Sequence, residues 1–252
     1  MFFIDADNAL GSGSGDVDDA FAIALLVRSG AEIAAISAVG GNAPEPEAHA
    51  NNLALCSLLD WRGPVLRASE ARGVLRTFPG RILALGPLTN VSVATAAQEV
   101  IAVGSMLHTL GRWPPLWPHE FNLTEDREAT RRLFESHVPL TLFPIDVVRK
   151  LKVRKRELLA IEGALGEALR DGSARWFRHL FWRGRGLRFP ISDLPAALYA
   201  LSEDGMRIEE TTAQMRANAF LQFGKGTRRV KVCTDLDAKK LWERFLSVIR
   251  SV

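Results

Sequence analysis

Up to Val153, short apolar runs alternate with longer amphipathic segments, and this rhythm restricts the fold more than any other feature of the chain. Strands are expected over residues 2–4, 33–39, 65–68, 82–85, 106–110 and 140–145. Helices are expected over 18–28, 45–61, from the "GPLTN" segment to about residue 100, and over 127–136. A β-then-α order of this kind argues for a mostly parallel sheet with helices on both faces. After Val153 the pattern changes. Helices are expected over 157–169, 173–182 and 193–201, strands over 206–215, 219–223 and 229–234, and a closing amphipathic helix over 237–249. We read an α/β fold, an open and mostly parallel sheet flanked by helices, with a C-terminal helical and antiparallel addition. A single domain covers residues 1–252, since no linker, repeat or low-complexity tract interrupts the 252 residues.

Parallel strands open their carboxyl ends on one edge, where ligands bind in open α/β sheets. The ends in this chain are polar. Asp5 and Asp7 close the first run, Gly41-Asn42 the second, "GPLTN" (86–90) follows "ILAL", and a loop leads from Gly111 to Asn122. The first of these ends is dense in charge: "IDADNALGSGSGDVDDAFAIALL" holds five aspartates between Asp5 and Asp19. Helix capping by Asp16 and dipole effects on Asp18 and Asp19, each worth about 0.3–1 kcal/mol, account for one or two acids. Two carboxylates about 4 Å apart repel by roughly 4 kcal/mol at an effective dielectric of 20. A proton or a cation therefore belongs among them. Asp7, Asp18 and Asp19 could serve a divalent cation that prefers oxygen ligands. A phosphatase of the haloacid dehalogenase type also opens with D-x-D, but its later acidic segment has no counterpart in this chain.

Composition closes off other classes. The 32 Lys and Arg nearly balance the 29 Asp and Glu, and no basic stripe is interleaved with aromatics, so nucleic acid is not an expected partner. No apolar run reaches the roughly 20 residues of a membrane span, and "MFFIDAD" turns acidic too early for a signal peptide. Cys56 and Cys233 lie in apolar segments and are expected to be reduced and buried. The expected compartment is the cytoplasm.

The ordered motifs resemble those of the nucleoside hydrolases, the inosine–uridine-preferring family. "DAD" followed by "DVDDAFAIALL" is similar to that family's opening, and "SAVGGN" ends the next strand in the same way. "ALGPLTNVSVA", "EFNLTEDREATRRLFESHVPLTLFPIDVV", "SDLPAALYAL" and "VKVCTDLDAKKLWERFL" follow in the family's order across nearly the whole chain. The resemblance implies Ca²⁺-dependent hydrolysis of the N-glycosidic bond of a ribonucleoside or related ribosyl compound. It implies a small-molecule nucleoside as partner and a dimer or tetramer. It makes Asp7 the catalytic base and a metal ligand, with Asp19, Asp193 and the main-chain carbonyl of Leu85 completing the metal set. Asn42 stands beside the attacking water. Asp18, Glu120 and Asn122 hold the sugar hydroxyls. Structural alternatives stay open: Asn42 as a turn residue, Asn90 as a helix-start residue, Asn122 or Asp193 as caps, and Asp146 as a strand-end residue.

Three departures bear on the substrate. Residues 8–15 enlarge the loop between Asp7 and the Asp pair, and the family's proline-glycine turn is gone. The stretch 65–81 is short where the family has an insertion, which implies a more open pocket. Ser192 stands where the family has a leaving-group histidine. Trp113 and Trp117 could instead stack on the base, and His179, Arg183 or His119 could contact it. A binding protein that has lost turnover is the alternative these changes raise.

Overall fold

The computed structural model describes residues 1–12, 16–107, 120–182 and 188–250. Its elements in chain order are β1 (Phe2–Ala6), α1 (Asp18–Arg28), β2 (Ile33–Ala38), α2 (Glu45–Leu58), β3 (Val65–Leu66), α3 (Ala68–Leu75), β4 (Arg81–Ala84), β5 (Glu99–Val103), α4 (Asn122–Glu125), α5 (Arg127–Glu135) and β6 (Leu140–Phe143). Then come α6 (Ile145–Val148), β7 (Lys152–Arg154), α7 (Gly163–Trp182), β8 (Arg188–Pro190), α8 (Leu194–Leu201), β9 (Met206–Met215), β10 (Leu221–Phe223), β11 (Arg228–Leu236) and α9 (Ala238–Arg250).

Among the described residues the main sheet has nine strands in the order β10-β9-β11-β6-β5-β4-β1-β2-β3. From β3 to β11 every neighbouring pair is parallel, while β9 and β10 run antiparallel at one edge. The apolar runs "FFIDA", "RILA" and "EVIAV" form the central strands because a doubly covered parallel strand needs side chains that are apolar on both faces. The order reverses between β1 and β4. One chain direction leads from β1 to β2 and β3, the other from β4 to β5 and β6. A crevice opens at such a point beyond the strand carboxyl ends, and β1 ends there on Asp5 and Ala6, with Asp7 the next residue.

The helix α1 is buried from Asp18 to Leu26 and forms the centre of one face. Phe21 meets Phe245 of α9 at 5.7 Å and Phe189 of β8 at 6.4 Å between ring centres, both tilted. This packing fixes the start of α1, and with it Asp18 and Asp19, against the sheet.

Several expected elements differ. No helix runs from "GPLTN" to residue 100. Only a single 3-10 turn forms at Val91–Val93, and Glu99–Val103 becomes β5, because its β-branched run fills the gap between β4 and β6. Residues 106–107 of the expected strand 106–110 are not strand, and the rest lie outside the described residues. The two expected helices over 157–169 and 173–182 are instead a 3-10 turn at Lys155–Ala160 and one continuous α7. Gly172 lies within the unbroken α7 and lets it approach the loop after β1, since a Cβ there would stand 2.7 Å from Leu10 Cδ1. The C-terminal strands extend the same sheet, and β11 joins it in parallel with β6 instead of antiparallel. The short helix α3 and the β7–β8 pair were not anticipated.

Replacing Phe21 by Ala should cost about 3–5 kcal/mol, the usual cost of emptying a buried aromatic site. Urea unfolding measures it, and a loss below about 1 kcal/mol would contradict the packing described.

Candidate active site at the switch point

The crevice gathers acids from distant segments. Asp18 and Asp19 come from the first turn of α1, and Asp193 from the residue before α8. Each brings a carboxylate oxygen within 4.8 Å of the others, and all three are buried. None serves as an ordinary cap. The N-cap position of α1 is Val17, not Asp16, and Asp193 precedes α8 without a side-chain cap bond. Asp16 accepts the Val17 N–H at 2.8 Å. Asp18 accepts the Ser192 main-chain N–H at 2.9 Å. Both oxygens of Asp19 are buried without a hydrogen-bond partner.

Asp7 stands beside this group at the end of β1. Its Oδ2 accepts the main-chain N–H of Asn42 at 2.6 Å, and its Oδ1 is buried without a partner. Two glycines make room for it. A Cβ on Gly41 would lie 2.0 Å from Asp7 Oδ2, and a Cβ on Gly86 would lie 2.9 Å from Oδ1. The loops after β2 and β4 thus close on the carboxylate from both sides, which is why "GGN" and "GPLTN" both carry glycine there. Asn42 meets Asp7 through its backbone, and its side chain is exposed.

Glu120 and Asn122 lie beyond the ends of β4 and β5. Glu120 is buried and accepts the Leu123 N–H at 2.9 Å. Asn122 does not cap. Its amide donates to the carbonyls of Leu85 (2.6 Å) and Val103 (2.9 Å), tying the two strand ends together. The Leu85 carbonyl keeps a second lone pair. Asn90 is likewise no cap. It is fully buried and donates to Asp5 Oδ1 and the Ala38 carbonyl, both at 3.0 Å. Asp146 accepts the Leu107 N–H at 2.8 Å, in keeping with a structural place. Trp113, Trp117, His119 and Arg183 lie outside the described residues, as does the side chain of His179.

Burial raises Asp7, Asp16, Asp19 and Asp193. Asp7 is pushed up to about 7 by burial against the opposing Asn42 bond, and the charge of Asp18 adds to it. Asp19 and Asp193 are raised well above the carboxylate range, first by burial and then by neighbouring carboxylates. Burial pushes Glu120 up to about 7. Paired carboxylates with unpartnered oxygens and, among the described residues, no cationic side chain bonded to them are the donor set of a hard divalent cation, and the residues fit one.

Sequence and fold comparisons agree with this geometry. The model of the inosine-uridine preferring nucleoside hydrolase family matches residues 67–243. The chain belongs to that family. Its D-x-D opening is therefore not that of a haloacid dehalogenase-type phosphatase. A pyrimidine-specific ribonucleoside hydrolase RihB of Escherichia coli is 24% identical over 194 residues, 69% of this chain and 59% of the relative. A putative RihB of Shigella boydii is 25% identical over 166 residues, 62% of this chain and 65% of the relative. The matched part thus spans less than two thirds of these relatives. In fold the chain resembles a plant nucleoside hydrolase (TM-score 0.83, 17% identity, 100% and 99% of the two chains). It also resembles a purine-preferring ribonucleoside hydrolase from Gardnerella vaginalis (0.82, 15%, 98% and 97%). No described helix is long and apolar enough to cross a membrane.

These acids carry a sign for stability. Their folded pKa values lie above the unfolded ones near 4, so the folded state holds more protons between about pH 4 and pH 7, and stability falls as pH rises through that window. The chelated protein should lose thermal stability from about pH 5 to about pH 8, and millimolar Ca²⁺ should restore it mainly at the upper end. A Ca²⁺-induced shift in melting temperature that does not grow with pH would contradict a cation among these carboxylates.

Proposed function

We propose that the chain is a Ca²⁺-dependent nucleoside N-ribohydrolase, splitting a ribonucleoside or related ribosyl compound into free base and ribose. The observation that carries this reading is the buried, unpartnered Oδ1 of Asp7, beside Asp18, Asp19 and Asp193 at the strand-order reversal. Asp7, Asp19, Asp193 and the Leu85 carbonyl are the proposed metal ligands, with Asp18 close enough to join them. A divalent cation bound there supplies fixed positive charge that gathers sugar hydroxyls and lowers the pKa of a water.

The protein groups do the rest. Asp7 takes a proton from the attacking water through Oδ1, with Oδ2 held by the Asn42 N–H. Asp18, oriented by the Ser192 N–H, accepts from a sugar hydroxyl. Glu120 accepts from another. Asn122 has spent its amide hydrogens on Leu85 and Val103, so its Oδ1 is the atom left for the sugar. As the glycosidic bond lengthens, the ring gains oxocarbenium character, and surrounding carboxylates stabilise that charge more than the neutral ground state. The base departs with the bonding pair and gains a proton. Ser192 presents a hydroxyl instead of an imidazole beside Asp193, and its main chain serves Asp18.

Purified protein with Ca²⁺ should release reducing sugar from at least one member of a purine and pyrimidine ribonucleoside panel. Asp7→Asn should lower kcat about 10²- to 10⁴-fold, the usual worth of a positioned general base. Unchanged turnover in that variant would remove Asp7 from its role. Calorimetric nucleoside binding without product would identify a binding protein instead.

A further inference from the structure

The turn after β5 carries a residue the reading above does not use. Ser105 has φ +68°, a left-handed backbone that costs an L side chain and costs glycine nothing. Its side chain has no solvent exposure, and its Oγ has no hydrogen-bond partner. A serine at this position is therefore unfavourable twice, once in backbone conformation and once in an unsatisfied buried hydroxyl. Glycine would remove both costs.

The surroundings of Ser105 are those of the pentose pocket. It follows Gly104, whose missing Cβ would stand 2.8 Å from Glu120 Oε1. The Ser105 main-chain N–H is among the groups that stabilise the ionised Glu120 carboxylate. Its carbonyl accepts the Ile145 N–H at 3.0 Å, so the turn is held on the side away from Glu120 as well. Met106 and Leu123 nearby are buried and apolar and offer the hydroxyl nothing. Strain of this kind, kept beside a carboxylate assigned to the sugar, marks a group with a partner in another state of the protein.

We propose that Ser105 Oγ is a further substrate contact, hydrogen-bonding the sugar hydroxyl that Glu120 also holds and making recognition depend on that hydroxyl. This inference rests on the pentose-binding role of Glu120 given above. A site built to pair with a hydroxyl discriminates strongly against an analogue lacking it, because the protein group is then left buried and unpaired.

Ser105→Ala and Ser105→Gly should be compared with the unaltered protein in Ca²⁺. Calorimetry with ribose gives binding without turnover, and kcat and KM are measured on a ribonucleoside and its 2′-, 3′- and 5′-deoxy analogues. The unaltered protein should disfavour one deoxy analogue by about 10- to 100-fold in kcat/KM. Both variants should erase most of that preference and weaken ribose binding about 5- to 50-fold. Ser105→Gly should also melt a few degrees higher, about 2–4 °C, as the backbone strain goes. Retained deoxy discrimination and unchanged ribose affinity in both variants would overturn the proposal and leave the hydrolase reading standing. Ribose binding weakened in both variants, alongside an unaltered protein that binds ribose but turns over no nucleoside, would uphold the Ser105 contact and overturn the hydrolase reading. Absence of both ribose binding and turnover in the unaltered protein would overturn both.

Discussion

Buried carboxylates with no counter-charge bonded to them among the described residues are the constraint around which this molecule is organised. Asp7, Asp18, Asp19 and Asp193 converge in a crevice where burial raises the carboxyls of Asp7, Asp19 and Asp193 and where neighbouring carboxylates raise Asp19 and Asp193 further. Such a group is unstable in its ionised form by itself, since the mutual repulsion of two of its members exceeds what a helix dipole returns. The fold tolerates it because its large core is built elsewhere: α1 and α8 pack their apolar residues under the same acids they present, with Phe21, Phe189 and Phe245 locking α1 in place. A cation bound there would offset this electrostatic cost and would itself become part of the folded state.

Precision at Asp7 comes from the backbone around it. The carboxylate is clasped by two glycines from loops on opposite sides of β1, and one oxygen is fixed by a main-chain N–H. Below it, Asp5 anchors a buried polar set that runs across the strands. Ser37 of β2 donates to Asp5 at 2.5 Å, and Asn90 of the loop after β4 donates to Asp5 and to the Ala38 carbonyl. These bonds hold β1, β2 and the β4 loop in register next to the Asp7 carboxylate. On the other flank, Asn122 performs the same service for the ends of β4 and β5. The polar residues near the crevice thus divide into those left with free lone pairs and those consumed in aligning strand ends.

Much of this was legible in the residues. The strand β9 and helix α1 have the bounds that patterning indicates, because hairpin-like alternation in one and a continuous apolar helix after an acidic start in the other are local signals. The acid cluster was legible too, since five aspartates around a glycine loop have no bland explanation. The stretch 91–107 differs from the expected helix and following strand. Val91–Val93 and Glu99–Val103 are short apolar pieces whose type is decided by what lies beside them, and only the space between β4 and β6 makes the second a strand. The break expected in α7 failed for a similar reason, because Gly172 is kept for closeness to Leu10 and not for a turn.

Asn90, Asn122 and Ser105 mark the boundary between the two kinds of information. From sequence, Asn90 and Asn122 read as turn or cap residues, because amides favour both places, and Ser105 carried no signal at all. What the sequence alone determined was the alternation that yields a parallel sheet and the acidic strand end that calls for a proton or a cation, both consequences of hydrophobic periodicity and charge density along the chain. What only the tertiary structure decided was which carboxylates meet, which oxygens stay unpaired and which hydroxyl is left buried under strain. Those facts depend on strand order and on contacts between residues up to 174 positions apart, and no local pattern encodes them.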